Sequence, residues 1–159
     1  MGVLLFLVTL IAAIAACGLF GYGCGVVVRR GPVVCAVAGL LGAVAAAAYA
    51  VGGVYLGLAV LDAEDGGTGS APMRPCVAAG PERAAHVVGY EVELVPLGFT
   101  CVVGEGDAAG GGDYRAGVVP RPLNLVVFGG GVLAAGVALS GAYAKHARIE
   151  RDAEAARPS

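Results

Sequence analysis

The chain has 159 residues, 58% of them hydrophobic and 14% charged, with a formal net charge of −2 and a mean hydropathy of +0.82. An ordinary soluble domain carries about 25% charged residues, so this composition excludes a typical water-soluble domain and marks a membrane protein. Ten basic against twelve acidic residues leave no cationic excess for nucleic acid to bind.

Three stretches are long enough to cross a hydrocarbon core of about 30 Å, which takes about 20 apolar residues at about 1.5 Å of helix rise each. They are residues 3–28, 33–61 and 123–143, and none contains Asp, Glu, Lys or Arg. A charge at mid-membrane costs about 2.5 to 3.5 kcal/mol, so that absence predicts three transmembrane helices. The first opens on MGVLLFLVTL, which lacks the basic start of a secretory signal peptide and runs on past the about 7 to 15 residues of an h-region. It is expected to be retained as a helix. IAAC at Ile14–Cys17 has the form of a lipobox, in which Cys17 would become the lipidated first residue; the missing basic segment and the apolar continuation GLFGYGCGVVV weigh against it.

Between the first two stretches stands RRGP, residues 29–32. A helix running straight through would place Arg29 and Arg30 in lipid at a cost of about 5 to 7 kcal/mol. A reversal at the membrane surface avoids this. Pro32 disfavours helical geometry in the residue before it, and Gly31 tolerates the dihedrals of a turn. Short cytoplasmic loops are enriched in Lys and Arg, so the turn is expected in the cytoplasm, with the N-terminus and residues 62–120 extracytoplasmic. The third helix then returns residues 144–159 to the cytoplasm, where Lys145, Arg148 and Arg151 agree with the same rule. Residues 62–119 hold nine acids and three bases, but acids contribute little to orientation. The arginines are the determinants.

Residues 62–120 change character. DAEDGGTGSAPMRP and GEGDAAGGGDYRAG are rich in Gly, Asp and Pro and read as linkers. Between them Tyr90, Val92 and Leu94 alternate with Glu91 and Glu93, the period of a half-exposed strand. Pro96–Gly98 predicts a turn into a second strand, Phe99–Val103. So small a module buries little core and needs a staple. Cys76 and Cys101 are the only cysteines outside the predicted helices, and on this threading they face an oxidising compartment. A disulfide follows, closing a loop of about 26 residues and contributing about 3.5 kcal/mol in the chain-entropy model. The rivals are free thiols, a redox pair or a metal site, although His86 is the one histidine nearby and no Cys-x-x-Cys occurs.

Elsewhere Cys17, Cys24 and Cys35 read as inert packing residues. Small residues recur four apart at Gly21/Gly25, Gly39/Ala43, Gly42/Ala46, Gly53/Gly57 and Gly131/Ala135, a spacing that lets helices pack closely in lipid. GEGDAAGGG lacks the Lys-Ser/Thr of a phosphate loop, and DAEDGG lacks the alternating acids of a calcium loop. The absence of ionisable groups inside the helices disfavours a pump or transporter. Asn124 is the one strongly polar side chain near the start of the third helix, and it is expected to cap or hydrogen-bond a neighbouring helix. In the tail, Arg148 and Asp152 stand at i, i+4.

The Ala, Gly, Val and Arg bias points to a high-GC genome. Cys76, Tyr90, PLGFTC ending at Cys101 and VVPRPLN ending at Asn124 together resemble small uncharacterised integral membrane proteins of high-GC Gram-positive bacteria that carry a two-cysteine external loop. The likeness covers about residues 70–125 and implies no activity.

The fold expected is an all-α membrane protein of three transmembrane helices with a disulfide-closed external loop containing a small β-hairpin. The expected role is that of a non-enzymatic accessory or assembly component of the cell envelope, with no catalytic residue, cofactor or metal. Its partners would be the lipid bilayer and a membrane protein or second copy meeting the small-residue helix faces. The alternatives are an envelope thiol-redox protein using Cys76 and Cys101, and a lipoprotein anchored through Cys17.

Overall fold

The computed structural model describes residues 2–65, 74–104 and 112–155. Helices α1 (Gly2–Val28), α2 (Val33–Asp65) and α4 (Arg121–Ala155) are joined by a 3₁₀ turn (Arg74–Ala79), a single turn of helix α3 (Pro81–Ala84) and strands β1 (Val87–Leu94), β2 (Leu97–Val103) and β3 (Tyr114–Ala116). The three long helices have the length and apolar composition needed to cross a membrane. The strands form one antiparallel sheet in the order β1-β2-β3, and a disulfide joins Cys76 to Cys101.

Helix α1 ends where the arginine pair predicts, but by different backbone geometry. Gly31 N–H donates to Val26 O at 2.9 Å and Arg30 N–H to Val27 O at 3.1 Å, the two bonds of a Schellman motif. In that motif the left-handed residue is Arg30, with φ of 51°, rather than Gly31. Gly31 is needed instead for space: a Cβ there would stand 2.9 Å from Val26 Cγ1. Pro32 O then accepts the N–H of Cys35 at 3.0 Å and starts α2.

Three further expectations are corrected. Asp62–Asp65, read as the start of a linker, continue α2 as helix, because charge ends an apolar span without ending a helix. The reversal between the strands is shorter than Pro96–Gly98: it is Val95–Pro96, with a cis peptide bond, and Leu97 and Gly98 already pair with Leu94 and Glu93. The expected hairpin also gains a third strand, Tyr114–Ala116, which pairs with Phe99–Cys101 in a stretch read as linker. The glycines 110 and 111 before it, and the 66–73 segment, lie outside the described residues.

The chain forms two compact units, Met1–Ala12 with Ala48–Asn124, and Ala13–Ala47 with Leu125–Ser159. The second is helical and packed through small residues. A Cβ on Gly39 would lie 3.2 Å from the Gly23 backbone, one on Gly130 would lie 3.2 Å from Ala45 Cβ, and one on Gly141 would lie 3.0 Å from Val34. Of the expected pairs, Gly39, Gly42 and Gly53 do meet neighbours, whereas Gly21, Gly25, Gly57 and Gly131 face open space. In the tail His146 Nδ1 pairs with Glu150 Oε1 at 3.4 Å; the Asp152 side chain expected beside Arg148 lies outside those described.

Candidate functional site

In the first unit, among the described residues, polar and apolar groups converge on the sheet with its 3₁₀ turn and α3, called the head. Its core is built from the inward positions of the strands. Leu97, Phe99 and Cys101 of β2 are buried with Cys76, Ala84, Val87 and Ala116, and the core closes against Leu5 of α1 and Leu56, Ala59 and Val60 of α2. Phe99 is fully buried and stacks on Tyr90 at 5.1 Å between ring centroids, the offset contact that aromatic pairs favour. The apolar residues of α2 near its C-terminal end are thus partly accounted for by burial under a sheet.

Both sulfur-bearing residues of the disulfide have no exposed surface, with Cα atoms 6.1 Å apart and a sequence separation of 25. The 3₁₀ turn that carries Cys76 is tied to β3 by Tyr114, whose hydroxyl donates to Cys76 O at 2.8 Å. The Arg83 guanidinium lies 4.7 Å from the centre of the Tyr114 ring and donates to Gly112 O at 3.2 Å. Burial raises the Tyr114 hydroxyl pKa, and the charge of Arg83 works against that shift. Thiol exchange needs a nucleophile to reach a sulfur, and this pair is closed to one in the folded head. Cys17, Cys24 and Cys35 are free.

A set of bonds fixes the head to its helices. Tyr49 of α2 donates to Leu94 O at 3.1 Å, and Tyr90 donates to Glu64 Oε1 at 3.1 Å. Burial, then the hydrogen bond and charge of Glu64, raise the Tyr90 pKa. Asn124 works in two directions: its Oδ1 accepts Leu97 N–H at 3.2 Å, and its Nδ2 donates to Leu97 O at 2.9 Å. Asn124 therefore serves a strand where a helix was expected. Leu97, 2% exposed, seats over Gly52, where an added Cβ would overlap Leu97 Cδ1. Across the outer side of the sheet Arg115 pairs with Glu93 over Gly98, whose missing side chain lets the two meet.

Asn124→Ala removes both side-chain partners of the Leu97 peptide groups. Leaving partly buried donors and acceptors unmet costs about 1 to 3 kcal/mol, so the head of this variant is expected to melt earlier in detergent, with the helices retained by circular dichroism. An unchanged melting profile would show that water replaces the amide.

No three His, Cys, Asp or Glu among the described residues are placed to hold a metal. The apolar notch lined by Leu4, Leu5, Val60, Val92 and Leu94 holds about 20 Å³, far below the about 300 to 1,000 Å³ of a small-molecule pocket. Arg29 and Arg30 are exposed in the turn, as are Lys145, Arg148 and Arg151 on α4. No protein-family model matches the chain, and neither a curated protein nor a solved structure matches it.

Proposed function

We propose that this is a multi-pass protein of the cell membrane, a non-enzymatic accessory or assembly component of the envelope that meets its partners through the head. Arg29 and Arg30 precede one end of α2 while the head is built on the other, so a cytoplasmic arginine turn and a disulfide in an oxidising compartment ask for the same orientation. The observation that carries the role is the closed disulfide at the centre of a filled core, which makes the head a rigid display rather than a reaction chamber. The same burial weighs against the thiol-redox alternative. The lipoprotein alternative would require Cys17, in the interior of α1, to become a chain terminus.

Two measurements on cells test this. An impermeant maleimide should leave Cys76 and Cys101 unlabelled until the protein is denatured and reduced; ready labelling by mild reductant alone would return the redox reading. A photo-crosslinking residue at Glu91 or Arg115, on the exposed side of the sheet, should give discrete adducts with an envelope protein. Only lipid adducts, or none, would remove the assembly role.

A further inference from the structure

We infer that the β1–β2 tip, Val95–Pro96, is itself a lipid-binding element, inserted at the headgroup–acyl boundary of the leaflet on the head's side. This rests on the membrane reading above and adds a contact that the three helices do not supply.

The first support is position along the chain. A hydrocarbon core takes about 20 helical residues, and that number counted from Val33 ends at Gly52. Gly52 is the seat of Leu97, and Tyr49, a turn earlier, holds Leu94 O. Counted from the other helix, Asn124 lies in the first turn of α4, three residues past Arg121, and it holds Leu97 from both sides. Counted this way, both helices bring the tip to the edge of one core's length of helix, although the apolar stretch of α2 runs on to Leu61.

The second support is how the tip's polar backbone is served. In hydrocarbon each unsatisfied peptide group costs several kcal/mol, so irregular backbone needs partners from the protein. Leu94 O and both polar groups of Leu97 receive side-chain partners from Tyr49 and Asn124, and Pro96 has no N–H to satisfy.

The third support is the surface left outward. Val95 is 73% exposed at the turn itself. Beside the head the exposed residues of α2 remain apolar through Val54, Leu58 and Leu61, and those of α1 through Val3, Phe6 and Leu7. The first charge on α2 is Asp62, ten residues beyond Gly52, or about 15 Å of helix. That apolar belt more than covers one interfacial layer, which takes about 5 to 7.5 Å on each side of the core in a bilayer about 40 to 45 Å thick with its headgroups. Tyr55, partly exposed within this belt, suits the same depth, where amphipathic rings gather. Lipid is the occupant that continues the surface already given to the spans.

The test uses the full chain in liposomes, with Cys17, Cys24 and Cys35 replaced by alanine and the disulfide kept. An environment-sensitive fluorophore is attached at Val95→Cys, at Val132→Cys within the α4 span, or at Glu82→Cys on α3, all exposed positions. The Val95 label should emit to the blue of the Glu82 label, be quenched by lipid carrying a spin label high on its acyl chain, and resist aqueous iodide. Iodide quenching at Val95 equal to that at Glu82, with Val132 quenched by deeply spin-labelled lipid, overturns the inference and leaves the membrane reading standing. Failure of lipid quenching at Val132 as well overturns both.

Discussion

Replacing Cys76 and Cys101 together by alanine is expected to lower the stability of the head by about 3.5 kcal/mol, the entropy regained by opening a loop of about 26 residues. The size of that effect follows from how little else the head has. Its fully buried large side chains are Phe99, Leu56, Cys76 and Cys101, and Leu56 belongs to α2. A sheet of three strands, one of them three residues long, buries too little apolar area to offset the ordering of its backbone without help. The bond also joins the 3₁₀ turn to the central strand, so its loss leaves the Tyr114 hydroxyl on Cys76 O to hold that turn. Limited proteolysis in detergent should cut the head of the double variant at protease levels that leave the wild type whole, while the long helices persist. Reduced wild-type protein should behave the same way. Equal resistance in all three would mean that the helical pedestal, not the bond, holds the sheet.

The parts of this architecture that were legible in the sequence are those where one physical term dominates. The reversal at Arg29–Pro32 is set by the cost of charge in hydrocarbon, which outweighs any local propensity. The disulfide was readable because three of the five cysteines fall in apolar helices and leave two. Strand β1 announced itself through Tyr90, Val92 and Leu94 alternating with glutamates. What stayed hidden was decided by partners distant in the chain. Tyr49 and Gly52 sit in an Ala- and Gly-rich helix with nothing in their neighbours to mark them, and only Leu94 and Leu97, more than forty residues on, give them a purpose. Glu64 looked like linker charge and proves to be the acceptor for Tyr90. Strand β3 is too short for a period to show. At Arg30 the sequence offers a glycine one position later, yet the register of the Schellman bonds puts the left-handed residue on the arginine. An L-residue there costs about 1 to 2 kcal/mol, a burden consistent with a charge retained for threading.

Phe99→Ala is the substitution expected to cost most, because Phe99 combines complete burial with a central place in the sheet. On β2 it faces Val92 on one side and Ala116 on the other, and its ring stacks on Tyr90. Truncating a buried phenylalanine costs about 3 to 5 kcal/mol, the transfer term plus the cavity left behind. Collapse into that cavity is limited, since the disulfide holds the strand on one side and Leu97 is pinned by Asn124 on the other. The neighbouring disulfide supplies the readout. Its sulfurs are closed to reductant in the folded head, so the reduction rate reports how often the head opens, provided that closing outpaces reduction. At about 1.4 kcal/mol per factor of ten, the about 3 to 5 kcal/mol of Phe99→Ala should speed reduction roughly 10²- to 4 × 10³-fold in detergent. Glu93→Gln is the matched control: it breaks an exposed ion pair, a contact of about 0 to 1 kcal/mol, and should change the rate less than about fivefold. If both variants are reduced at the wild-type rate, the bond is reached without opening the core, and the redox reading of Cys76 and Cys101 regains its footing.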